Sequence, residues 1–139
     1  FVVGFSVYLV TTLFTEIPIT NIPLVILVTF LTAFLFSIAG FINAIYAKSF
    51  DDINIVTTFI LTPLTYLGGT FYSIDALPQV WQDISIFNPI AYIISTYRLA
   101  FLGIEETNLF LSLSIIIILI VFLFSLALML LSRGTGIKN

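Results

Sequence analysis

Few residues in this chain could do chemistry. It has 139 residues, with seven acids against four bases, and neither histidine nor cysteine. The commonest general base and metal ligand is therefore missing, and so is any thiolate chemistry or disulfide. Apart from Glu16 in the first turn, the acids fall in two groups: Asp51 and Asp52 lie in one turn, and Asp75, Asp83, Glu105 and Glu106 flank Arg98. None lies within a phosphate-binding glycine loop, a zinc-protease helix or a nucleophile elbow. The chain thus offers no catalytic, cofactor-binding or metal-binding residues by any recognised pattern.

Arg98 is the most informative charge because it sits inside an apolar segment, where a base must snorkel to the headgroups or pair with an acid. Both accounts stand at this level, with the four surrounding acids as candidate partners. "SFDDI" (49–53) has the capping-box spacing, so Ser49 should cap a helix while Asp51 and Asp52 face the positive end of its dipole. A cytoplasmic contact point is the functional alternative for these three residues.

The surrounding elements are apolar. Of all residues 60% are hydrophobic and 8% charged, against about 25% charged in soluble domains. Such a chain cannot clothe a water-facing surface and reads as an all-α polytopic membrane protein. No basic patch suits nucleic acid, and lipid is the partner that composition implies. Phe1 opens inside an apolar run, so the chain reads as part of a longer protein. A helix needs about 20 apolar residues to cross a bilayer. The spans predicted are 1–15 (partial), 22–47, 53–69 and 109–131. Lys48, Arg133 and Lys138 put the turn after the second span and the end of the last one on the cytoplasmic side.

Residues 70–108 do not fit a plain loop. Pro63 should kink the third span, and Gly68-Gly69 should permit a reversal. A polar, aromatic hook follows with Tyr72, Asp75, Pro78 and Trp81, and then Asn88-Pro89 reads as a cap and first residue of a new helix. The segment from Pro89 to Gly103 is too short to span and too apolar for water, which suggests a re-entrant or interfacial segment, and the placement of the bases puts the hook on the outer face. Most aromatics here, including Tyr66, Tyr92 and Tyr97, read as an interfacial belt. In the second span Ala33, Ser37, Gly40, Ala44 and Ala47 form one stripe of small residues on which another helix could pack, with Asn43 beside it seeking a partner in the bundle.

Three pieces in order, "SFDD" (49–52), "TPLTYLGGTFYSIDALP" (62–78) with Trp81, and "NPIAYIISTYRLAFLG" (88–103), make the chain resemble the type-2 ABC transporter permeases. The resemblance implies the C-terminal part of a six-helix permease in a bacterial plasma (inner) membrane, paired with a second permease as a homo- or heterodimer. It also implies a cytosolic ATPase subunit that carries ATP and magnesium, with no cofactor bound by this chain. The hook would be a re-entrant helical hairpin that gates an export path. The other reading is a non-transporting membrane assembly or anchoring subunit, whose aromatic hook and small-residue stripe serve helix packing alone.

Overall fold

The computed structural model describes residues 2–72 and 74–133; of Phe50 and Asp75 it describes the backbone alone. Among these residues the chain is helical and has no strand. Two helices are long and apolar enough to cross a membrane, α2 (Ile22–Tyr46) and α7 (Leu109–Ser132). Each begins on an asparagine. Asn21 accepts from the Leu24 N–H at 3.0 Å, and Asn108 from the Leu111 N–H at 3.2 Å. A side-chain amide thereby takes up one amide that the first turn leaves without a helical partner.

The core lies between α2, α6 (Pro89–Leu102) and α7. Leu35, Ile38, Ile93, Ile116, Ile120 and Ala127 meet there, with Ile116 fully buried. The backbone of α6 is tied by its end to the start of α2: the N–H groups of Thr20 and Asn21 donate to the carbonyls of Phe101 and Ala100 at 3.2 and 2.9 Å. Gly103 then ends α6 in the left-handed region at φ 71°, which glycine adopts without steric cost. Deeper in, Tyr97 donates its hydroxyl to Thr29 Oγ1 at 3.0 Å. Thus α6 runs antiparallel to α2, and its 14 residues reach about 21 Å along that helix.

The helix expected over 53–69 starts earlier and is composite. It comprises α3 (Phe50–Val56), a π-helical turn (Thr57–Leu61) and α4 (Thr62–Leu67). It starts earlier because Ser49 and Asp52 close a full capping box, with Asp52 Oδ2 accepting from the Ser49 N–H at 3.0 Å and the Lys48 N–H at 2.9 Å. The sequence predicts a kink at Pro63, and the structure has the π turn immediately before it. Pro63 can offer no N–H to the preceding turn. The Thr57 carbonyl instead accepts the N–H of Thr62, five residues on, and also its hydroxyl at 3.1 Å. Thr62 stays helical at φ −62°, ψ −52°, although a residue before proline prefers extended backbone.

Among the described residues the small-residue face of α2 meets no other helix. Ala33, Ser37, Gly40 and Ala44 are exposed, and nothing lies within 4 Å of where a Cβ on Gly40 would stand. α2 packs instead through Leu24, Val28, Leu35 and Ile38, whose larger side chains fill the groove against α6 and α7. Asn43 donates to the Ile53 carbonyl at 3.1 Å, which fastens α3 to the end of α2. α1 (Val2–Thr12) buries none of its residues.

Candidate functional site, the junction of the broken helix and the hook

A helix end leaves its last four carbonyls without partners, and each costs about 1–3 kcal/mol if buried unsatisfied. At the end of α4 all four find donors in the segment that follows. Asn88 Nδ2 reaches Leu64 O at 2.7 Å, and Thr70 Oγ1 reaches Thr65 O at 2.9 Å. Tyr72 donates its hydroxyl to Tyr66 O at 2.6 Å, and Ser85 Oγ reaches Leu67 O at 3.0 Å. The broken helix is therefore capped by side chains drawn from residues 70–88.

Those donors are held by three short elements: a 3-10 turn (Ile74–Ala76), α5 (Gln79–Ser85) and the start of α6. Pro78 is the residue before α5, at φ −57° and ψ 146°. The carbonyl of half-exposed Trp81 lies 2.8 Å from Ser85 Oγ and shares with Leu67 O the single hydrogen of that hydroxyl. Asn88 performs two tasks from a buried position. Its Oδ1 accepts from the Ile90 N–H at 3.0 Å and so starts α6 on Pro89, while its amide closes α4. α5 and α6 consequently form a hairpin whose bend, residues 86–88, lies against the last turn of α4.

The two glycines serve different ends. Sequence reasoning assigned both to the reversal, yet Gly68 is helical at φ −76°. A Cβ there would fall 2.9 Å from Ile90 Cγ2 and 3.1 Å from Leu64 O, so Gly68 lets α4 approach α6. Gly69 makes the reversal, at φ 79°.

Arg98 joins these parts. Its Nη1 pairs with Glu106 Oε1 at 2.6 Å, and its Nη2 donates to Gly69 O at 2.5 Å and Tyr72 O at 3.3 Å. Of the four candidate acids Glu106 is the partner; the side chain of Asp75 lies outside the described residues, and Asp83 and Glu105 make no ion pair among them. The guanidinium side chain is 22% exposed. One carboxylate and two carbonyls satisfy the charge there. Snorkelling alone does not describe it.

Three belt tyrosines are also structural. Beyond Tyr72 and Tyr97, Tyr92 donates its hydroxyl to Ile86 O at 2.7 Å and holds the bend. The sequence reading missed Ser85 and Thr70, because a lone hydroxyl gives no hint of a carbonyl 18 or 5 residues away. In the capping turn, hydrogen bonding from the Lys48 N–H leads the causes that hold the Asp52 carboxyl below its usual value, with Ser49 adding to it. Among the described residues no group of acids could hold a metal ion.

Two long apolar helices, and a broken third whose end is closed by polar side chains, point to a membrane protein. Residues 1–102 match the family described as ABC-2 type transporter, and the chain belongs to that family of transporter permeases. It is 43% identical over 137 residues to the inner membrane transport permease YadH of Escherichia coli (strain K12), covering 99% of this chain and 54% of that protein. Nodulation protein J of Rhizobium leguminosarum bv. viciae is 32% identical over 73 residues, 52% of this chain and 28% of the relative. The chain thus spans about half the length of the YadH relatives it matches. No solved structure matches.

Proposed function

We propose that this chain is the C-terminal part of a permease subunit that forms the path for outward transport across a bacterial inner membrane, in a multi-pass protein. Transport is driven by ATP and magnesium on a separate cytosolic ATPase, and two permeases pair around the path. The α5–α6 hairpin is re-entrant and gates the path from outside. Pro63, Gly68, Gly69, Tyr72, Asp75, Pro78, Trp81, Asn88, Pro89 and Arg98 build that gate, while Ser49, Asp51 and Asp52 form the cytoplasmic turn. Ala33, Ser37, Gly40 and Ala44 on α2 present a close-packing face to a helix outside this chain.

One observation carries the reading. The polar groups freed by the break in the third helix are satisfied within the protein, which is the condition for non-helical backbone at membrane depth. Each carbonyl of 64–66 has its own side-chain donor, that of Leu67 shares the Ser85 hydroxyl with Trp81 O, and α6 brings the bend about 21 Å along α2 from its start. The name of YadH supports the inner-membrane setting.

The test uses the full-length protein with native cysteines removed and single cysteines at Ser73, outside the described residues, and at Ser49. An impermeant thiol reagent on intact cells should label position 73 and spare 49. With the cytosolic ATPase in vesicles, ATP hydrolysis should rise when the permease is present and fall with Gly69→Val. Reversed labelling, or hydrolysis indifferent to the permease, overturns the proposal.

A further inference from the structure

Two openings meet beside α7. The outer one, of about 340 Å³, lies between the hook, α6 and the first turn of α7, and its wall includes Ser95, Glu106 and Thr107. The second, of about 400 Å³, follows α7 past Ile115, Ile118 and Phe122 and is closed on the other side by Phe87. Ile86 and Tyr92 wall both. A polar mouth therefore continues into an apolar groove, and Leu111 to Phe122 covers about 16 Å along the helix. Within this chain the groove is uncovered: Phe87, Ile118 and Phe122 are 88, 66 and 62% exposed.

The mouth holds an unused polar group. Ser95 is 5% exposed and lines the opening, yet its hydroxyl makes no hydrogen bond among the described residues. Its neighbour Thr96 takes the usual helical option and donates to the carbonyl four residues back, at 2.7 Å. The Ser95 hydroxyl faces the opening and is free to accept from or donate to a ligand group there.

Charge selects the ligand. Glu106 gives only Oε1 to Arg98, which leaves its second oxygen without a hydrogen bond among the described residues, and Glu105 is adjacent. Among the described residues no lysine or arginine lines either opening, and Arg98 is engaged by Glu106, Gly69 and Tyr72. An anion would meet carboxylate with no base to balance it. An ammonium would donate to Glu106 and to the hydroxyls of Ser95 and Thr107.

We infer that this cleft binds one membrane lipid with an amino headgroup, the ammonium in the mouth and an acyl chain along α7. The site goes beyond the permease reading and rests on α7 lying in a bilayer and on the groove staying open to lipid in the full-length protein. An acyl chain suits a groove of isoleucine and phenylalanine in an apolar helix, and a lipid that joins hook to α7 restrains the hairpin.

The test offers purified full-length protein, in detergent, equimolar phosphatidylethanolamine and phosphatidylglycerol with identical acyl chains, and reads retained lipid by native mass spectrometry. The amino lipid should be retained about tenfold over the glycerol lipid, the size of one hydrogen bond to a charged partner. Ser95→Ala should narrow that preference, and Ile118→Trp, at an exposed position, should lower retention of both lipids. Equal retention of the two lipids by the unaltered protein overturns the inference without need of a variant. So does unchanged retention in Ile118→Trp, or a cysteine at 118 that crosslinks two copies. Because the readout is lipid retention, a failed transport experiment leaves it standing.

Discussion

Asn88 and Leu64 are 24 residues apart and joined by a 2.7 Å hydrogen bond from the Asn88 side-chain amide to the Leu64 carbonyl. The same side chain starts α6, so one buried residue ends one helix and begins another. The hairpin bend is thereby registered on the broken helix.

Asn88→Ala removes both bonds at once. Losing the cap and leaving the Leu64 carbonyl bare should destabilise the protein by roughly 2–4 kcal/mol. Asn88→Asp keeps an oxygen for the cap but cannot donate to Leu64, and it should remain destabilised. Thermal unfolding of the full-length protein in detergent reads both, and an Asp variant as stable as the parent would mean that the Leu64 bond contributes nothing.

Arg98 should be intolerant of lysine. A single ammonium cannot hold Glu106 in one direction and the Gly69 and Tyr72 carbonyls in another, as the planar fork does. Melting temperatures should fall in the order Glu106→Gln, Arg98→Lys, Arg98→Ala, with the lysine variant about 1–3 kcal/mol below the parent. A lysine variant that melts with the parent would leave Arg98 without a clamping role.

The two glycines should separate in a double-mutant experiment. Gly68→Ala is opposed by Ile90 Cγ2, so Ile90→Ala should cost less in that background than in the parent. Gly69→Ala is opposed by its own backbone at φ 79°, by about 1–2 kcal/mol, and trimming Ile90 should give no such relief. Gly69→Asn should be the mildest change there, since asparagine tolerates the left-handed region. Equal coupling of Ile90→Ala to both glycines would merge the two roles.

The capping turn should weaken in acid. The Asp52 pKa is depressed in the folded protein by bonds from Lys48 and Ser49. Its contribution is therefore complete above the unfolded value, about 3.9, and is lost as pH falls through the lower folded value. Amide exchange at Lys48 and Ser49 should accelerate over that interval in the parent. In Asp52→Asn, whose amide oxygen can still accept these bonds, exchange should be free of that step; a step that survives would assign the titration to another group.

The sequence by itself determined the local features. Apolar runs define the long helices, the spacing of Ser49 and Asp52 defines a capping box, and Asn88-Pro89 defines a helix start, because each depends on residues within about four positions. The break before the hook was also legible, since proline and glycine act on their own backbone.

Tertiary structure alone decided what meets what. That Ser85 and Asn88 return to the end of α4, that Gly68 needs space where Gly69 needs rotation, and that Arg98 chooses Glu106 over other acids all depend on where α6 lies. The same holds for the face α2 uses: the small-residue stripe and the Leu24–Ile38 face are both plausible on a helical wheel, and the packed neighbours select the second. Periodicity places a side chain on a face, but long-range hydrogen bonds and steric fit are set only when separate helices come together.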